Sequence, residues 1–259
     1  MIIAAYNPKD GVGKTTTAVN VATVLARAGQ SVLLVDLEPD MNASISLGVR
    51  PADSRPSIAE ALLNQRRATD AVRAVAGIDN LHLLTGSPML ARMDHALRHA
   101  RQPERRLADT IRPLAAAFDV VILDAPGGYS LLAESVPSAA DHLIVPIRAD
   151  YLSLESLAHF LRWYRERHAK RNGAARVAGI LLTMVDHRRR ATREIVQMIR
   201  TYNRRGVFRT EIPEDPRAAE APSHGVPLVA YARTRGALAY ARLTRELLSR
   251  VASRARRRR

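Results

Sequence analysis

Lysine is rare in this chain. It occurs only at positions 9, 14 and 170, and arginine supplies every other fixed cation. Two of the three lie five residues apart in one glycine-containing loop, Lys9-Asp10-Gly11-Val12-Gly13-Lys14-Thr15-Thr16. Glycine at 11 and 13 lets the backbone turn tightly and aim its N–H groups at an anion. Lysine at 14 reaches into such a cradle as a compact point charge, where the forked guanidinium of arginine would not fit. A hydroxyl at Thr15 can ligate a divalent cation. The chemistry these residues support is phosphate binding: Lys14 neutralises the β- and γ-phosphates of a nucleotide, Thr15 ligates Mg2+, and the backbone of the loop through Thr16 wraps the phosphate oxygens.

Such a loop works only between a strand and a helix. Ile2–Tyr6 is a short apolar run, and the segment from Thr15 to Arg27 has small or apolar residues at 18, 19, 21, 22, 24, 25 and 26 before a stop at Gly29. The spacing predicts strand, loop and helix in that order, with the helix N-terminus adding partial positive charge to the cradle. Further apolar runs at Ser31–Leu37, Leu81–Leu84, Val120–Leu123, His142–Ile147, Val177–Thr183 and Val207–Ile212 read as strands. Helical segments near 57–64, 103–117, 130–139, 152–170, 191–203 and 236–252 alternate with them. Continuous β-branched runs separated by helices predict an α/β fold, a doubly wound, mostly parallel sheet with helices on both faces. Val121-Ile122-Leu123-Asp124 is a hydrophobic strand ending in a carboxylate, the position of an acid that holds Mg2+ through water. Residues 1–253 read as a single domain and 254–259 as a disordered arginine-rich tail.

Composition excludes several classes. With no cysteine there is neither a disulfide framework nor a thiolate metal site. None of the eight histidines has ligand spacing, so Mg2+ is the metal expected. No run of about 18 apolar residues suggests a membrane span, and no leader is read before the first strand, so a cytoplasmic location is expected. The net charge of +15 is unevenly placed: residues 1–150 carry 15 Lys+Arg against 16 Asp+Glu, and residues 151–259 carry 25 against 9. A taste for arginine explains the type of cation but not this asymmetry, which points to a polyanionic partner.

The loop departs from the ordinary phosphate-binding pattern, because Pro8 stands where its first glycine would be. It resembles instead the deviant Walker A group, which carries an extra lysine at the position of Lys9. Other blocks extend the resemblance to ParA/Soj proteins along nearly the whole chain. They include Val32-Leu33-Leu34-Val35-Asp36-Leu37-Glu38-Pro39, Phe118–Pro126, Gly179–Met184 and Glu220–Gly225 followed by Pro227. The resemblance implies an ATPase using ATP and Mg2+, forming an ATP-bound homodimer in which Lys9 reaches the partner's phosphates. It places Asp36 at the first acid of the strand-end motif, as a metal ligand with Thr15 and Asp124, and Glu38 at the second, which positions the attacking water. Glu38 is aspartate in the family, and Asp10 is glycine. Both departures predict slow turnover, since misplacing a reacting group by 1 Å costs orders of magnitude in rate. Ile212-Pro213-Glu214-Asp215 resembles the loop bordering the adenine, which assigns Pro213, Asp215 and the flanking Met184 to the base.

The same resemblance places Arg204, Arg205, Arg233 and Arg235 where ParA-like proteins carry arginines for sequence-independent DNA binding, which requires positive charge and little else. The function implied is positioning or segregation of a plasmid, chromosome or protein cargo, driven by a ParB-like or other adaptor that stimulates hydrolysis. Two alternatives stand beside it. One is a MinD-like regulator on a membrane surface, using the amphipathic segment Leu238–Val251. That segment lacks Trp and Phe, and its apolar spacing also fits a helix packed on the sheet. The other is a nucleotide-dependent binding module that hardly hydrolyses ATP.

Overall fold

The computed structural model describes residues 1–98, 101–168, 174–203 and 206–256, the side chains of 254–256 excepted. Its strands are β1 (Ile2–Ala5), β2 (Val32–Asp36), β3 (Val72–Ala74), β4 (Leu81–Leu84), β5 (Val120–Asp124), β6 (His142–Arg148) and β7 (Arg176–Thr183). They pair in the order β3-β4-β2-β5-β1-β6-β7, all parallel except β3 against β4 at one edge. The helices are α1 (Lys14–Arg27), α2 (Asn42–Ile45), α3 (Ile58–Leu62), α4 (Met93–Leu97), α5 (Arg106–Leu114), α6 (Leu131–Ala139), α7 (Tyr151–Arg167), α8 (Arg190–Tyr202), α9 (Arg217–Glu220), α10 (Leu228–Tyr231) and α11 (Arg235–Arg256).

Side chains alternate across the sheet with period two, and two apolar layers result. Ile2 and Ala4 of β1 face a layer built with α3 to α8, whereas Ile3 and Ala5 face one built with α1 and α11. The expected doubly wound sheet is therefore present. Because all the central strands run the same way, their C-terminal ends open on one edge, where a ligand can sit between the loops.

Val207–Ile212, expected as a strand, is not one. Only isolated bridges join Ile180 to Val207 and Val185 to Pro213. Between them the backbone N–H groups of Arg209 and Thr210 turn from β7 and donate to the Glu246 carboxylate at 2.8 and 2.9 Å. Arg250 pairs with the same carboxylate at 2.8 Å. A side chain from α11 thus replaces the ladder partner. Replacing it (Glu246→Ala) should lower stability by about 2 kcal/mol, a fall of roughly 4–8 °C in thermal midpoint. Nucleotide affinity should stay as in the wild type, and a thermal melt alongside a binding titration checks both.

Three further differences concern expected elements. Strand β3 and the helical stretch around α4 carry too few periodic residues to announce themselves. The last helix continues through Arg256, so residues 254–256, expected in the disordered tail, are helical, and 257–259 lie outside the described residues. Arg204 and Arg205 lie outside them as well.

Candidate functional site

The loop between β1 and α1 sits at the C-terminal edge of the sheet. Gly11 and Gly13 both adopt positive φ, +69° and +86°, which a side chain would strain. Gly13 O accepts the first helical hydrogen bond, from Thr17 N at 3.0 Å. Neighbouring strands fix the loop at two points, and one bond closes it on itself. Asn7 donates from Nδ2 to Pro146 O at 2.7 Å and accepts from Lys9 N at 2.9 Å, while the Thr183 hydroxyl donates to Val12 O at 2.8 Å. Those to Pro146 and Thr183 tie the loop to β6 and β7.

Lys14 is 5% exposed. Its Nζ donates to Lys9 O at 3.2 Å and to Asp10 Oδ1 at 2.9 Å, and lies 4.0 Å from Glu38 Oε1. Lys9 turns the other way. Its Nζ donates to the Ser153 hydroxyl at 2.9 Å and lies 3.6 Å from Asp150 Oδ1, at the start of α7. In the single chain Lys9 is therefore engaged by its own helix.

Three carboxylates converge from β2 and β5. Asp36 and Asp124 are register partners on adjacent strands, and both are fully buried. Asp36 is satisfied locally: it accepts from Ser44 N at 2.8 Å, the Ser44 hydroxyl at 2.7 Å and Glu38 N at 3.1 Å. Burial nevertheless pushes its carboxyl above the usual range. Neither oxygen of Asp124 has a hydrogen-bond partner at ordinary geometry. Burial, with the negative charge of Asp36 beside it, holds its carboxyl well above the ordinary value, and the Thr15 hydroxyl and Lys14 pull only partly the other way. Glu38 is pushed up to about 7, first by burial, against the pull of Lys14. A buried, unsatisfied carboxylate facing a threonine hydroxyl is an oxygen donor set that a hard divalent cation completes, and Mg2+ fits it.

The loop, Glu38 and Thr16 line a cleft of about 710 Å3, whose walls also include Asn42, Asp94, Ser130, Met184 and Pro222. Asp94 is fixed there by accepting from Leu131 N at 3.0 Å. Of the residues expected at the base, Met184 reaches the cleft. Pro213 instead lines an adjoining groove with Arg235 and Arg242, and Asp215 accepts from Arg217 N and Gly236 N. Pro222 and the Leu90–Asp94 wall carry no signal in sequence beyond the block containing Pro222. Among the described arginines, Arg188 and Arg189 pair with Asp186, Arg190 with Glu194 and Arg200 with Glu211. Arg233 and Arg235 are exposed, and no ion pair engages either among the described residues.

Fold and cradle together define a P-loop nucleoside triphosphatase. A family model described as an AAA domain matches residues 1–176, and the chromosome partitioning protein ParA of Myxococcus xanthus is 36% identical over all 259 residues, 91% of that protein. The chain belongs to the ParA/MinD family of ATPases, among its ParA/Soj partitioning members. The chromosome-partitioning ATPase Soj of Thermus thermophilus is 38% identical over 257 residues, 96% of each chain. A crystal structure of cobyrinic acid a,c-diamide synthase from Mycobacterium smegmatis, with bound ADP and magnesium, is similar at a TM-score of 0.83 and 27% identity, covering 97% of this chain and 95% of that one.

Proposed function

We propose that the chain is an ATP-driven positioning switch that loads ATP and Mg2+ in this cleft, pairs with a second copy, and holds DNA without regard to sequence until hydrolysis releases it. The observation that carries the reading is the buried Lys14, set between the Lys9 carbonyl, Asp10 and Glu38 at one sheet edge. Bound Mg2+ would supply charge neutralisation at the phosphates. Thr15 and Asp124 would hold it, and Asp36 would act at one remove, by fixing through Ser44 the loop that carries Glu38. Glu38 would orient the attacking water, and its extra methylene relative to aspartate would slow turnover. Lys9 would exchange Ser153 for the phosphates of the partner. A ParB-like or other adaptor would accelerate hydrolysis and so release the protein, moving a plasmid, a chromosome or a protein assembly.

Arg233 and Arg235 are free to meet phosphate, which supports the DNA reading. The MinD-like alternative is disfavoured by α11, whose Tyr240, Leu243 and Leu247 are spent on the sheet at 2% exposure or less. Binding to random-sequence duplex DNA, with ATP, ADP or no nucleotide across a salt series, tests the reading. ATP-dependent, salt-sensitive binding is expected, and Arg233→Ala with Arg235→Ala should flatten the log–log salt slope by about 2. Binding that ignores nucleotide would remove the switch. Binding only to anionic vesicles would move the function to the membrane.

A further inference from the structure

We propose that Asp10 is a tethered anion that occupies Lys14 in place of a terminal phosphate, and thereby sets how tightly the cleft takes a nucleoside polyphosphate. The inference rests on the nucleotide reading of the cleft and concerns the one residue of the loop whose side chain lies among the phosphate-binding groups without a phosphate-binding role. Lys14 Nζ is buried, and Asp10 Oδ1 at 2.9 Å is its nearest acidic partner, with Glu38 at 4.0 Å. The Asp10 side chain is itself 80% exposed, so the pair adds little to the fold. Its position is nonetheless defined. A β-carbon at Gly127 would overlap the carboxylate, and Gly128 N–H donates to Pro8 O at 2.7 Å, which closes the loop after β5 against the cradle. The carboxylate therefore lies across the seam between the two loops that must both face the phosphate chain.

An ammonium with one proton on Lys9 O and one on Asp10 has a single remaining donor to offer. Phosphate oxygens arriving at Lys14 must displace the carboxylate, and they then sit beside its negative charge until it swings out to water. A chain with glycine at this position would meet neither obstacle. The structure thus assigns to Asp10 a selection against loosely held nucleotide: the cleft closes on ATP with Mg2+ only when binding elsewhere outweighs the lost Asp10 contact.

The test is titration of Mg-ATP and Mg-ADP against the full chain, its Asp10→Asn, Asp40→Asn and Lys14→Ala variants, with a thermal melt of each. Asp40 lines the same cleft and pairs with neither Lys9 nor Lys14, so it reports the general effect of removing one negative charge. Asp10→Asn is expected to tighten Mg-ATP and Mg-ADP at least about tenfold, while Asp40→Asn shifts them less than threefold. Equal affinity of wild type and Asp10→Asn, or weaker binding by Asp10→Asn, would overturn the inference, as would an equal gain from Asp40→Asn. Failure of every folded variant to bind nucleotide, Asp10→Asn included, would instead remove the nucleotide reading and the inference with it.

Discussion

Asp124→Asn is expected to abolish ATP turnover while making the nucleotide-free protein more stable. The carboxylate is fully buried, has no hydrogen-bond partner of ordinary geometry, and stands beside a second buried acid in the β2–β5 register. Folding must take that carboxyl out of water with only partial compensation from the Thr15 hydroxyl and Lys14. Asparagine keeps the shape and discards the charge. The fold should gain about 1–3 kcal/mol, read as a rise of roughly 2–4 °C in thermal midpoint for each kcal/mol. Losing the acid proposed to hold Mg2+ should lower turnover by at least about 100-fold. Magnesium should also lose its effect on nucleotide affinity. A variant that melts below the wild type, or that hydrolyses ATP normally, would show that Asp124 is a structural acid and that the cation sits elsewhere.

Lys14→Arg should be as damaging as Lys14→Ala, with ATP affinity and turnover both down by at least about 100-fold. An alanine leaves the phosphates, Glu38 and Asp10 facing one another with no cation between them, and a hydrogen bond to a charged group is worth about 1.5–3 kcal/mol. Arginine restores the charge but not the fit. The Lys14 ammonium is 5% exposed and wedged between the Lys9 carbonyl and the Asp10 carboxylate, where a planar fork with five donors has no room. A chain that uses arginine almost everywhere keeps lysine here. Isothermal titration and phosphate release measure the two quantities, and a Lys14→Arg variant within tenfold of wild type would show that charge alone suffices.

The cradle was legible because its chemistry is local. Gly11, Gly13, Lys14 and Thr15 act within one turn of backbone, so their spacing in sequence is nearly their spacing in space. Asp124 was legible as a strand end, but its pairing with Asp36 depends on the β2–β5 register, which no local pattern encodes. Beyond Lys14, what Asp10 and Lys9 touch was not legible in the sequence. Gly127 and Ser153, their neighbours, lie more than a hundred residues away and meet them only because β5 and β6 flank β1. Val207–Ile212 misled for a physical reason: its side chains suit a strand, but Glu246 outcompetes the ladder for two of its N–H groups. Asp215, expected at the base with Pro213, holds the start of α11 by accepting from Gly236 N.

That interrupted segment has a consequence for how crowded copies of the chain behave. Residues 206–212 return hydrogen bonds to Ile180 and Leu182, and Arg250 donates to Ala178 O, so much of the outer rim of β7 is already taken. At the opposite rim β3 is three residues long and carries Arg73, whose guanidinium is bound to the carbonyls of Asp53, Ser54 and Pro56. Neither rim offers a long bare ladder to a neighbour. Molecules gathered at high density should therefore stay dispersed rather than knit into fibrils, and self-association is left to surfaces that can be reversed.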